Sequence, residues 1–239
     1  MPVPWAEAAS QVQPISTAHR SGRPGVPVRS GTVLTFLFDI DGTLVDSSAV
    51  VERAWRQVAR EFGLDGDTIV ASCHGRRSMD TVGEFFPPPD RAAAQERIDA
   101  LELADREVVA CRGAADVLTG LDGRPWAAVT SGPRRLMTAR LAAAGLPVPE
   151  VLVTAEDVQR GKPAPDGYLL AARKLGVSPA SCVVVEDSPA GVAAGQASGA
   201  LVAAVTTTHP AGALASADLV VPGLPEVAEA VGRRRAARD

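Results

Sequence analysis

The chain has 239 residues, of which 46% are apolar, and a formal charge of −4. That length and apolar content suit one packed domain, or a core with a smaller module. The mild acidic balance gives no nucleic acid or anionic membrane as partner, and no apolar run reaches the ~20 residues that span a bilayer. Cys73, Cys111 and Cys182 are odd in number and far apart. Their spacing predicts reduced thiols in a cytoplasmic protein rather than a disulfide framework or a zinc site.

Residues 1–31 carry Pro2, Pro4, Pro14, Pro24 and Pro27 among Ser, Gln and Arg. With no continuous apolar stretch, they read as a flexible tail or a misplaced start rather than a secretory signal. The segment Val33–Phe38 then reads as a strand buried on both faces, running straight into Asp39. From 47 to 112 no buried strand is expected. Helical patterns replace it, over Ala49–Phe62, Asp67–Cys73, Ser78–Phe86 and Arg91–Val109. Strands resume at Trp126–Thr130, Val151–Thr154, Cys182–Val185, Leu201–Val205 and Leu219–Val221. Between them lie the helical segments Arg134–Ala144, Asp166–Leu175 and Ala190–Ser198. Pro133, Pro165 and Pro189 mark the helix starts, and Gly145, Gly176 and Gly199 the ends. Residues 233–239 are a short basic tail, read as a solvated helix end.

Strand alternating with helix predicts an α/β fold, a doubly wound parallel sheet of Rossmann-like form. Residues 32–46 and 113–232 supply this core, and 47–112 form an inserted α-helical cap. Ligands of open α/β sheets bind beyond the carboxyl ends of the strands. A module inserted there hangs over the site.

Four short motifs end predicted strands. In Asp39-Ile40-Asp41-Gly42-Thr43 the two acids sit at i and i+2, on one side of an extended chain, and Gly42 permits the sharp turn that follows. Two close carboxylates repel, and a hard divalent cation such as Mg2+ offsets them; an acidic turn capping a strand is the plainer alternative. Thr130-Ser131-Gly132 offers hydroxyls and N–H groups at a helix head, as an anion site or an ordinary N-cap. Lys162, between Gly161 and Pro163, is placed to neutralise a carboxylate and an incoming phosphate together, or else is a surface lysine. Glu186-Asp187 ends a buried strand, where two acids are costly unless ligated or paired; an N-cap Asp is the alternative.

Taken together, these residues resemble the haloacid-dehalogenase superfamily of phosphatases over about residues 33–222. The resemblance implies that Asp39 attacks phosphorus to form an aspartyl phosphate. Asp41 would protonate the leaving oxygen and later activate water, and Thr130 and Lys162 would hold the phosphoryl group. Asp39, Asp41 through its backbone carbonyl, and Asp187 would hold Mg2+, with Glu186 as a further ligand or a partner of one. Trp55-Arg56, His74-Gly75-Arg76-Arg77, Pro125-Trp126-Ala127, Val153–Val158 and Val184–Gly195 are similar to bacterial sugar and hexitol phosphatases. They are equally similar to fungal glycerol-phosphate and 2-deoxyglucose-6-phosphate phosphatases. A small phosphorylated sugar or polyol is the implied substrate. Ser131 and Gly132 of the core and His74, Arg76 and Arg77 of the cap are candidate substrate contacts. One of the two arginines is alternatively an ion-pair partner on the surface. A monomer is expected, because a cap must move freely to admit substrate.

Two other functions compete. A β-phosphoglucomutase-like isomerase shares this core, but such mutases carry a His three residues before the Ala-Trp pair of the first cap helix. Here Val51 holds that place and cannot donate a hydrogen bond, which favours hydrolysis. A non-catalytic phosphometabolite-binding regulator is the other, and the loss of a core acid would mark it. None is lost.

Overall fold

A computed structural model describes residues 34–121 and 123–237. The expected tail at 1–31 lies outside the described residues. Six strands form one parallel sheet: β1 (Thr35–Phe38), β4 (Ala127–Val129), β5 (Val151–Val153), β6 (Cys182–Glu186), β7 (Leu201–Val205) and β8 (Leu219–Val221), in the order β5-β4-β1-β6-β7-β8. The remaining two, β2 (Val45–Asp46) and β3 (Val109–Ala110), make a separate antiparallel pair.

The sheet is doubly wound. Alternate residues of each strand face opposite layers. Phe38, Ala128, Val183 and Val185 pack against α5 (Ala114–Gly120), α6 (Arg134–Ala143) and α9 (Leu224–Ala236). Leu37, Ala127, Val184 and Val202 face α7 (Asp166–Lys174) and α8 (Pro189–Ser198). Every residue of β6 is buried. Burial of one Val side chain contributes about 1.5–3 kcal/mol, so the central strands anchor the motifs at their ends firmly. Pro189 is the first helical residue of α8, whereas Pro133 and Pro165 stand one place earlier, at the N-caps of α6 and α7.

The segment between Asp46 and Val109 is helical: α1 (Ser48–Glu61), α2 (Gly66–Cys73), α3 (Ser78–Phe85) and α4 (Arg91–Ala104). Helix α1 buries Val50, Ala54, Trp55, Val58 and Ala59, the spacing of one helix face. That face meets Ile69, Phe86 and Ile98 in a core distinct from the two sheet layers.

The structure corrects two boundaries. The last cap helix ends at Ala104 rather than Val109, and Val109 pairs with Asp46 in the β2–β3 ribbon where the chain leaves and re-enters the core. Two-residue strands carry too little periodicity to be read from sequence. Arg233–Arg235 belong to the last turn of α9, the helix end expected there, and Arg234 donates to the Asp218 carboxylate and carbonyl, so the core runs past residue 232.

Candidate active site

The carboxyl ends of β1, β4 and β6 meet at one point, the place expected for ligands in an open α/β sheet. Asp39 continues the β1 ladder through its N–H to the Val185 carbonyl, 3.0 Å away, and is buried. Gly42 then turns the chain at φ +81°, in the left-handed region. A Cβ there would overlap the Asp187 carboxylate, so only glycine lets this turn lie against that acid.

Lys162 reaches in from the loop before α7. Its ammonium contacts Asp39 Oδ1, lies 2.5 Å from Glu186 Oε1, and donates to the Val129 carbonyl at 3.3 Å. One cation thereby ties the ends of β1, β4 and β6 together. The surface-lysine alternative is excluded, since Lys162 is 8% exposed. Glu186 is held besides by the Tyr168 hydroxyl at 2.9 Å, by the N–H groups of Asp187 and Ser188, and by the Ser188 hydroxyl. Asp187 accepts from Thr43 Oγ1 at 3.2 Å and from the Thr208 hydroxyl.

These contacts set the charges. Burial pushes the Asp39 carboxyl well above its usual range; Lys162 opposes this, and Glu186 and Asp187 reinforce it. Asp187 is pushed up to about 7 by burial and by neighbouring Glu186. Burial would raise Glu186 too, but Lys162 and its hydrogen-bond donors hold it below the ordinary value. One ammonium cannot neutralise three carboxylates. Asp39, Glu186 and Asp187 each bring an oxygen within 4.8 Å of the others, a buried, all-oxygen donor set. A hard divalent cation fits it, and its charge is what the excess of anions lacks.

Thr130 ends β4 with its N–H on the Val153 carbonyl, while its hydroxyl accepts from the Gly132 N–H at 3.1 Å. The Ser131 hydroxyl is committed elsewhere: it donates to the Gly75 carbonyl of the cap at 2.9 Å. Asp41 stands apart from the acidic triad. Its Oδ1 accepts from Ser47 Oγ at 2.7 Å and from Arg140 Nη1 at 2.8 Å.

The cap closes over these groups, leaving a narrow cleft of about 70 Å³. Asp39, Asp41, Thr130, Ser131, Gly132 and Asp187 line it from the core; Val51, Trp55, His74, Arg76 and Glu102 line it from the cap. His74 packs edge-on to His209 at 6.4 Å between ring centres, and burial lowers its proton affinity. Arg76 pairs with Glu84 at 2.7 Å. Arg77 does not line the cleft. Its guanidinium forks onto Asp80 and donates to the Gln159 carbonyl, so it joins cap to core beside a neighbouring pocket that Thr130, Ser131 and Lys162 also line. Tyr168, Ser47, Arg140 and Glu102 escaped the sequence reading. Arg140 lies within a helix and meets its carboxylate 99 positions away, so no local pattern points to it. The three thiols are buried, and burial pushes Cys73 and Cys111 up to about 12 and Cys182 to about 11, which removes them as nucleophiles.

Comparison with known proteins agrees with this geometry. Residues 33–199 match the family model of haloacid dehalogenase-like hydrolases. Hexitol phosphatase A of Escherichia coli is 46% identical over 198 residues, covering 80% of this chain and 92% of that protein. The 2-deoxyglucose-6-phosphate phosphatase 2 of Saccharomyces cerevisiae is 34% identical over 217 residues, covering 80% and 88%. Among solved structures, a haloacid dehalogenase family hydrolase of Deinococcus radiodurans, crystallised with phosphate and sodium, is 34% identical, with a TM-score of 0.65 over 85% of this chain and 97% of its own. Sheet, acidic triad and sequence agree: the chain belongs to the haloacid dehalogenase-like hydrolases.

Proposed function

We propose that the protein is a Mg2+-dependent phosphatase of small sugar or polyol phosphates, working through an aspartyl phosphate on Asp39. The observation that carries the reading is the Lys162 ammonium shared between Asp39 and Glu186 beside Asp187. Phosphoryl transfer needs a positioned nucleophile and neutralised charge more than any other protein chemistry. The named relatives, a hexitol phosphatase and a 2-deoxyglucose-6-phosphate phosphatase, support the substrate class.

Asp39 and Asp187 would hold the cation with the Asp41 backbone carbonyl, and Glu186 would hold Lys162 and complete the site. The cation would supply positive charge to phosphoryl oxygens. Lys162 and Thr130 orient the phosphoryl group against Asp39. An Asp39 oxygen bonds to phosphorus as the bond to the leaving oxygen breaks, and the Asp41 carboxyl gives that oxygen its proton. Asp41, now ionised, takes a proton from water; that water attacks phosphorus, frees Asp39 and releases inorganic phosphate. Val51 lines the cleft with an apolar side chain where a mutase needs a polar one, which supports transfer to water over transfer to a second sugar hydroxyl. The catalyst is read as a monomer.

Phosphate release from a panel of hexitol, hexose, 2-deoxyhexose and glycerol phosphates, with and without Mg2+, tests the reading. Turnover that needs the cation and vanishes in Asp39→Asn is expected. No turnover on any member would sink it, and conversion of β-glucose 1-phosphate to glucose 6-phosphate without free phosphate would replace hydrolase by mutase.

A further inference from the structure

Arg140 is the one charged side chain of α6 that faces inward, and it is 3% exposed. Burial works against its charge, and Asp41 and Glu102 more than offset that cost. The two acids come from different modules. Asp41 belongs to the core turn after β1, and its Oδ1 lies 2.8 Å from Nη1. Glu102 belongs to cap helix α4, and its Oε2 lies 3.4 Å from Nη2. The Arg140 Nε and Nη2 atoms have no hydrogen-bond partner, so its well-formed bond to Asp41 is the contact that gives its buried position a use.

At Asp41 the geometry is asymmetric. Ser47 Oγ and Arg140 Nη1 both converge on Oδ1. Among the described residues none bonds Oδ2, and Asp41 lines the cleft. A carboxyl group that exchanges a proton with a leaving oxygen must sit within hydrogen-bond reach of it in a fixed rotamer. Two donors gripping one oxygen fix the rotamer and leave the other oxygen to carry the proton. Glu102 faces the far side of the same guanidinium from the cap at ion-pair distance, without a hydrogen bond.

We propose that Arg140 is a positioning residue for Asp41, which with Ser47 presents the free oxygen of that carboxyl to the leaving group, and that Glu102 ties this arrangement to the closed cap. The proposal rests on the phosphatase reading, in which Asp41 is the proton donor. A residue acting through a general acid matters in proportion to how badly the leaving group needs a proton. An alkoxide from a polyol needs one; a dinitrophenolate leaves without it.

Single-turnover release of the alcohol is therefore measured with Mg2+ on glycerol phosphate and on 2,4-dinitrophenyl phosphate. Arg140→Met is expected to slow alcohol release from the first by about 10²-fold, the scale of a misplaced general acid, and to leave the release of dinitrophenolate near the unmodified rate. Asp41→Asn should show the same discrimination. Arg140→Met added to Asp41→Asn should cost little more, because both act on one group. Equal slowing on both substrates, or additive losses in the double variant, overturns the assignment, since a merely structural Arg140 would act on every substrate alike. Should Arg140→Met fail to fold, Ser47→Ala carries the same test, because it removes the other donor that grips the same Asp41 oxygen. Absence of turnover in the unsubstituted protein would remove the phosphatase reading and this proposal together; turnover without discrimination removes only the proposal.

Discussion

The end of the sheet and the cap that faces it are built differently. Asp39, Glu186 and Asp187 are each less than a tenth exposed and sit at the ends of the buried central strands, and Lys162, equally buried, reaches them from the loop before α7. The cap has a small core of its own around Trp55, Phe86 and Ile98. It meets the site through single side chains and loop atoms: the Gly75 carbonyl on Ser131, Arg77 on Gln159, Glu102 on Arg140. A site fixed by the sheet can run one chemistry while an independently packed module changes what is admitted. Substitutions at the sheet end are therefore expected to act on kcat, and those in the cap on KM.

After loss of the nucleophile itself, the largest effect is expected from Lys162→Met. It removes the only cation bonded to Asp39 and Glu186 among the described residues. Loss of such charge stabilisation costs about 10²–10³ in kcat, and breaking a buried ion pair costs about 3–5 kcal/mol of stability. Phosphate release and urea melts measure the two. Addition of Mg2+ should restore part of the stability but not the rate, because the cation can neutralise the acids without taking the lysine's place on the phosphoryl group.

The next effect concerns protons and the cation. Asp187 titrates near 7 in the fold against 3.8 for a free carboxyl, and Glu102 near 7 against 4.5, in both cases through burial first. Each folded-state value is raised, so the folded state binds protons more tightly than the unfolded one. In chelator, these two acids should make stability fall as pH climbs from about 4 to about 7. Glu102→Gln should remove up to about 3 kcal/mol of that fall, at 1.36 kcal/mol for each pKa unit. Mg2+ reverses the sign at the triad, since it binds the ionised acids. Its effect on Tm should grow with pH up to about 7 and disappear in Asp187→Asn. A pH-independent rise in Tm would place the cation elsewhere.

The same division governs what could be read from the sequence. Apolar runs such as Cys182–Val185 announce buried strands, and the chemistry-bearing residues follow them directly, so Asp39, Thr130, Lys162 and Glu186-Asp187 were legible along with the α/β class. What escaped depends on distant pairing. Arg140 sits among alanines in α6, and only the fold brings Asp41 and Glu102 to it. Ser131 shows a hydroxyl at a helix head, but its partner is a carbonyl 56 residues away in the cap. Arg76 and Arg77 are adjacent and chemically identical, and a helix start at Ser78 turns them apart.

That last pair gives the smallest and most local test. Arg76 lines the cleft and pairs with Glu84, whose side chain is half exposed. It can exchange that partner for an anionic or hydroxyl-rich substrate at little cost. A hydrogen bond from a charged donor contributes about 1.5–3 kcal/mol, so Arg76→Ala should raise KM by roughly tenfold or more with kcat nearly unchanged. Arg77 uses both edges of its guanidinium on Asp80 and the Gln159 carbonyl. Arg77→Ala should lower stability by about 0.5–1 kcal/mol, in the range of partly exposed ion pairs, and change KM less than Arg76→Ala does. Steady-state kinetics of the two variants on the best substrate of the panel decide between them. The reverse order would mean that Arg77 leaves Gln159 when substrate enters, and that the cap closes differently over a ligand than it does in this structure.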